Sequence, residues 1–147
     1  MAHDFKRFPE LTNNQMNLYY LDSPHQQIAE DFDAKVVKVT DGDTIRVETH
    51  FRDFDFPIRI SNLMAAELNE KGGERSREHL RGLIEGKSIE VIVNKDNRVG
   101  KWGRLLGEVR ESGFDIGTQM IEEGFAVGLD GEQEGVKDLV LLGVLDL

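Results

Sequence analysis

The strongest constraint on the fold of this chain is an alternating pattern broken by one tight turn. Lys35-Val36-Val37-Lys38-Val39 is β-branched, Asp41-Gly42 interrupts it, and Thr44-Ile45-Arg46-Val47-Glu48-Thr49 resumes with clean alternation. Successive side chains of a strand point to opposite faces, so such a run has one buried and one wet side. An Asp-Gly pair between two such runs signals a hairpin. The alternation then returns, with Phe54, Phe56, Ile58 and Ile60 separated by Asp55, Pro57 and Arg59. Three strands in a meander are the expected first half of the fold.

The period changes after residue 73. Residues 74–85 place Leu80, Leu83 and Ile84 on one face, follow Gly72-Gly73 and stop at Gly86, a glycine where a helix terminus favours one. Ser88-Ile89-Glu90-Val91-Ile92-Val93 alternates as a fourth strand, 94–103 is a polar loop, and 104–110 reads as a fifth strand. Asp115 is placed to cap a helix running to about residue 123, with Ile116, Met120 and Ile121 inward and Gly124 as its stop. Phe125-Ala126-Val127 then returns to the barrel. The expectation is an α+β fold, mainly β: a five-stranded OB-type β-barrel with a helix after strand three and a further short helix.

Three segments divide the chain: an extension over 1–33, a barrel over 34–130 and a hydrophobic tail over 131–147. In the extension, Thr12-Asn13-Asn14-Gln15 and Ser23-Pro24-His25-Gln26 both have capping-box spacing, which predicts two short helices. This segment reads as a packing or homodimer arm or, through Tyr19 and Tyr20, as a substrate-contacting one. Within 135–147, eight of 13 residues are aliphatic. That stretch is too short to span a bilayer and reads as packing on its own barrel or as a dimer contact.

At 147 residues the chain has the length of one domain and can bury a core without staples. The absence of cysteine excludes disulfides, thiol catalysis and cysteine-ligated zinc. No cationic stretch precedes an apolar run near Met1, and the expectation is a cytoplasmic protein without membrane association. The net charge of −10 argues, taken whole, against a general coater of nucleic acid. It is unevenly spread. Residues 1–34 carry two cations against six carboxylates, 35–110 carry 15 against 13, and 111–147 carry one against nine. The acidity belongs to the ends, and the barrel is slightly cationic.

Four features of the barrel carry potential chemistry: Asp41-Gly42-Asp43-Thr44 at the turn, Arg59 on the third strand, Glu67 in the loop before the helix, and Lys101-Trp102-Gly103-Arg104 entering the fifth strand. Read singly, these are a hairpin turn, a solvated arginine, a capping glutamate and a strand edge. In this order and spacing the chain resembles the thermonuclease family, the staphylococcal-nuclease-like domains, over about residues 34–127. The anchors are Val-Thr-Asp-Gly-Asp-Thr-Ile, then Ile-Arg-Ile with Ala-Glu eight residues on, then Gly-Lys-Trp-Gly-Arg-Leu-Leu.

The resemblance implies metal-dependent hydrolysis of DNA or RNA phosphodiester bonds with little sequence preference, with calcium as the expected ion and magnesium or manganese as alternatives. It assigns Arg59 and Arg104 as catalytic arginines, whose planar forks suit a phosphate. Glu67 is expected to position or activate water. Asp43 would bind the metal, Asp41 would stand in its outer shell, and the backbone carbonyl of Ala65 is a further ligand. The sequence departs from the family where a second metal-binding aspartate normally precedes the glutamate, in an Asp-Thr-Pro stretch. Here the segment is Met64-Ala65-Ala66-Glu67, and a thioether is a poor ligand for a hard cation. Asn62 or Glu70 is a substitute oxygen donor if the loop is rearranged. The alternative function is a weakened or inactive barrel that binds nucleic acid or protein.

Outside these anchors, His3, His25, His50 and His79 are scattered and expected at the surface. Arg75, Arg77 and Arg81 read as a salt-bridged helix face, or as a secondary phosphate track. Trp102 and Phe51 are candidates for base stacking or barrel packing. The loop 95–101, with Lys95, Arg98 and Lys101, is the expected cationic rim for a polyanion.

Overall fold

The computed structural model describes residues 3–66, 71–100 and 103–128. The tail 131–147, Glu67, Glu70, Lys101 and Trp102 lie outside the described residues. In chain order the elements are α1 (Asn13–Tyr19), a 3-10 turn (Tyr20–Asp22), β1 (Phe32–Asp41), β2 (Thr44–Thr49), β3 (Arg52–Ile60), β4 (Leu63–Met64), α2 (Gly73–Ile84), β5 (Ser88–Ile92), β6 (Leu105–Glu111), β7 (Phe114–Asp115), α3 (Ile116–Glu122) and β8 (Val127–Gly128).

The expected meander forms from β1, β2 and β3, antiparallel throughout. β5 pairs with the other edge of β1, and β6 pairs with β5. A parallel pairing of β6 with β3, Ile58 to Leu105 and Arg59 to Leu106, closes the sheet into a five-stranded barrel. Closure leaves these strands without the open edges that invite aggregation. A register shift in β1 between Val36 and Lys38 turns both Val36 and Val39 inward, while Val37 is left outside. Ile45, Val47, Phe56, Ile58, Ile60, Val91, Leu105 and Val109 complete the interior. Leu80 and Ile84 of α2 and Ile116 and Met120 of α3 join the same core. Asp115 caps α3 by accepting from the Thr118 amide at 3.0 Å, as its spacing predicts. The return at Val127 goes to β4 rather than to the main sheet.

The extension differs from expectation in one helix. Thr12 and Gln15 form the predicted capping box of α1. The second box, Ser23 to Gln26, does not nucleate a helix: its serine bonds locally, and the Gln26 carbonyl accepts from Arg52 Nη2 at 2.6 Å. The Ser23 hydroxyl bonds the His25 carbonyl and accepts from Gln27 Nε2 at 3.1 Å. Gln27 is itself buried, accepting from the Leu11 amide at 2.6 Å and donating to the Pro9 carbonyl at 2.9 Å. Leu11 and Ile28 are buried against the rest of the molecule. Burying such a side chain contributes about 1.5–3 kcal/mol, so the arm is held as part of the fold.

Beneath the arm lies a buried ionic cluster. Glu10 Oε1 is 2.6 Å from Arg52 Nη2, Glu10 Oε2 is 3.5 Å from Arg98 Nη2, and all three side chains are at most 3% exposed. The Arg52 guanidinium covers the Phe56 ring at 4.5 Å and the Phe54 ring at 5.1 Å. Phe54, expected on the inner face, instead stays partly exposed at this end of the barrel. Arg98, expected on the cationic rim, is buried, because its charge is matched by Glu10 and not by solvent. Phe51, a candidate stacking residue, packs edge-on against Phe32 and the core.

Candidate active site

The turn after β1 brings the site together. Asp41 pairs with Thr44 across the hairpin, and Thr40 Oγ1 donates to the Thr44 carbonyl at 2.9 Å. Gly42 is required by packing: a Cβ there would stand 2.7 Å from the Cβ atoms of both Ala65 and Ser76. The turn is thereby seated against the segment after β4 and the first turn of α2. Thr44 pairs with Arg59 in the β2–β3 ladder. The β3–β6 closure pairs Ile58 with Leu105, which brings Arg104 to the same end. The convergence follows from barrel closure.

The contacts form a chain. Thr44 Oγ1 donates to Asp43 Oδ1 at 3.0 Å and accepts from Arg104 Nη1 at 3.3 Å. Asp43 Oδ2 is 3.4 Å from Arg59 Nη2, and the Ala65 amide approaches it at 3.5 Å. Arg59 Nη1 also donates to the carbonyls of Ile60 and Leu63, the latter at 2.9 Å. The Asp43 and Arg59 side chains are 14% and 16% exposed, so both stay within reach of solvent and of a ligand. Arg104 Nε is buried with no partner among the described residues.

The electrostatics are unbalanced around Asp41. Burial, and then the hydrogen bond and charge of Asp43, push the Asp41 carboxyl up to about 7. Two carboxylates close together and partly desolvated resist ionising together. A hard divalent cation would relieve that repulsion, and the oxygen donors of Asp41 and Asp43 suit such an ion. Among the described residues no group of three or more His, Cys, Asp or Glu side chains gathers at one point.

Of the sequence-predicted site residues, Asp41, Asp43, Arg59, Ala65 and Arg104 meet here, and Glu67 lies outside the described residues. Ala65 meets Asp43 through its amide. Met64 packs with Ala66 and Val127. Asn62, proposed as a substitute donor, is drawn away by its bond from Nδ2 to Asp115 Oδ1 at 3.1 Å. Arg77 and Arg81 are paired with Glu74, Glu78 and Glu85, the salt-bridged face. Arg75 instead lies 5.3 Å over the Phe125 ring, on which His79 also stacks at 3.8 Å. The residue that sequence reasoning missed is Thr44. It is buried and joins the carboxylate to Arg104, and its signal was its place directly after Asp43.

A closed five-stranded barrel with a helix after its third strand, and an Asp-Thr-Arg-Arg cluster at the mouth of the first hairpin, defines the class. The fold is the OB-like barrel of the staphylococcal-nuclease-like type that the sequence leads one to expect. Two curated proteins similar to the chain are nucleases by name. The chain is 32% identical over 97 residues to an "Uncharacterized endonuclease" of Escherichia coli O157:H7, covering 65% of this chain and 60% of the relative. It is 29% identical over 105 residues to a "Micrococcal nuclease" of Shigella flexneri, covering 65% of this chain and 58% of the relative. The chain thus spans about three-fifths of the length of these relatives. No family model matches it. No helix among the described residues is long and apolar enough to cross a membrane.

Proposed function

We propose that this protein is a metal-dependent nuclease that hydrolyses phosphodiester bonds of DNA or RNA with little sequence preference. The observation that carries the reading is the convergence of Arg59 and Arg104 on one Asp43–Thr44 unit. A phosphate seated there meets two guanidinium forks, which orient it and stabilise the charge gained in the transition state. Contacts of this kind reach phosphate oxygens and no base edge, hence the weak sequence preference. Asp43 would hold the ion, with Asp41 behind it and the Ala65 carbonyl as a further ligand. Calcium is the first expectation, and magnesium or manganese the next. When bound, the ion would supply charge neutralisation. Glu67 would position or activate the attacking water. The relatives' names, endonuclease and micrococcal nuclease, favour nucleic acid as the substrate.

A second reading, a barrel that binds without cleaving, is favoured by Met64, which occupies the expected carboxylate position and packs on Ala66 and Val127. One assay separates the two. Purified protein is incubated with single-stranded DNA and with RNA, in calcium, magnesium, manganese or EDTA. The expected result is cleavage with a divalent ion and none in EDTA, with Glu67→Gln and Arg104→Ala each removing most of it. Binding without cleavage under every condition establishes the second reading.

A further inference from the structure

Arg104 is held differently from Arg59. Arg59 is tied by the carbonyls of Ile60 and Leu63 and by Asp43. Among the described residues, the Arg104 side chain makes one hydrogen bond, to Thr44 Oγ1 at 3.3 Å. Its position therefore depends on its backbone. That backbone is gripped from two sides, and both grips lead to the N-terminal arm.

The first grip is at Gly103. This residue has φ +67°, and a Cβ on it would stand 2.7 Å from Phe8 Cβ and 2.9 Å from Phe8 Cα. Phe8 thus rests directly on the peptide preceding Arg104. A short turn holds Phe8 there: its amide donates to the Asp4 carbonyl at 2.9 Å, and His3 Nε2 bonds its carbonyl at 2.8 Å. The second grip is across a small antiparallel ladder. The Gly100 amide donates to the Arg104 carbonyl at 2.8 Å, and the Leu106 amide donates to the Arg98 carbonyl at 2.8 Å. The Arg98 side chain then reaches into the arm. Its Nε donates to the Ile28 carbonyl at 2.7 Å, and its Nη1 donates to the Leu11 carbonyl at 2.9 Å and to Asn13 Oδ1 at 3.1 Å. Asn13 Nδ2 adds a bond to the Lys95 carbonyl at 3.0 Å in the same loop.

We propose that the N-terminal arm, residues 3–31, is the positioning element of Arg104, acting through Phe8 on Gly103 and through the Arg98 fork on the facing strand. This rests on the nuclease reading above. Phe8 and Arg98 touch no substrate in this scheme; they set where the Arg104 fork meets the phosphate. Misplacement of a catalytic group by about 1 Å can cost up to about a hundredfold in rate.

The experiment is a mutant cycle on the full chain with single-stranded DNA as substrate. Phe8→Ala should lower kcat about tenfold and leave KM within about twofold. In an Arg104→Ala background, assayed at high enzyme concentration, Phe8→Ala should change the residual rate by less than about twofold, since its effect runs through Arg104. Arg98→Lys keeps the charge opposite Glu10 but loses the fork, and should behave like Phe8→Ala. Ile84→Val, in the core, tests for a general loss of stability and should leave kcat unchanged. An equal fall with Phe8→Ala in both backgrounds, or an equal fall with Ile84→Val, overturns the proposal. An NMR readout separates its failure from that of the nuclease reading. With nitrogen-15 labelling, the Nε–Hε signal of Arg104 should shift or broaden in Phe8→Ala while that of Arg59 stays in place. If the wild type cleaves nothing, the nuclease reading fails and this signal alone decides the positioning; an unchanged Arg104 signal overturns it.

Discussion

The molecule contains two arginine–carboxylate clusters built from the same chemistry to opposite ends. In the arm, Glu10 lies between Arg52 and Arg98, and the side chains are 1–3% exposed. At the barrel mouth, Asp41 and Asp43 share their surroundings with Arg59 and Arg104, and the Asp43–Arg59 pair keeps 14–16% of its surface. The first cluster turns its charges on one another and onto backbone carbonyls and aromatic rings. The second keeps an acid that is difficult to ionise and guanidiniums that are only partly buried. Buried and mutually paired charge serves cohesion, because removing one partner strands the other. Partly exposed, unbalanced charge suits binding, because an incoming ion or phosphate completes it.

The comparison breaks first at Glu10. Glu10→Gln leaves two guanidiniums in the interior without their carboxylate and should destabilise the protein by about 3–5 kcal/mol, read by urea unfolding. A loss well under 1 kcal/mol would mean that the arm cluster is not structural. At the mouth, the expectation is the reverse. Arg59→Lys keeps charge but loses the fork, and should lower the cleavage rate about 10²–10³-fold in a single-turnover assay. Its unfolding midpoint should fall far less than that of Glu10→Gln.

The barrel and its mouth were legible in the sequence for a physical reason. Strand alternation, the Asp-Gly turn and glycine helix stops are local signals, and Asp43, Arg59 and Arg104 sit at fixed places within them. The arm cluster was not legible, because Arg98 has the polarity of a surface residue and its partner is 88 residues away in sequence. The same blindness explains the missing second helix. Ser23 and Gln26 have good local capping chemistry, but Ser23 Oγ donates to the His25 carbonyl and the Gln26 carbonyl accepts from Arg52, a residue of β3. Thr44 was visible as a residue but not as a link, since its role appears only when β6 closes on β3.

A smaller effect sharpens the account of the mouth through pH. Burial and the neighbouring Asp43 push Asp41 up to about 7, against an unfolded value near 3.8. Between those values the folded protein holds a proton that the unfolded chain has released, so stability falls as pH rises through that window. Asp41→Asn removes the penalty. In EDTA, the variant should melt above the wild type at pH 8, and the gap should close by pH 4. A gap of equal size at both pH values would place the repulsion elsewhere.

The smallest expected effect concerns Met64, where the mouth comes nearest to the balance found in the arm. Met64 belongs to β4, directly before the residue whose amide reaches Asp43. Its thioether offers nothing to a hard cation, so on the proposed reading Asp43, with Asp41 behind it, would hold the ion with little help from this strand. Met64→Asp adds an oxygen donor beside them and gives up a modest apolar contact with Ala66 and Val127. The expectation is a rise in calcium affinity of about threefold to tenfold by calorimetry, since a gain of 1.4 kcal/mol is tenfold. The added carboxylate also raises the cost of ionising Asp41 when no metal is present, so the variant should be less stable than the wild type in EDTA at pH 8 and recover on adding calcium. A variant that loses stability in EDTA without gaining calcium affinity would show that position 64 feels the carboxylates but does not face the ion. Metal binding at the mouth would then rest on the hairpin and on the segment after β4, not on β4 itself.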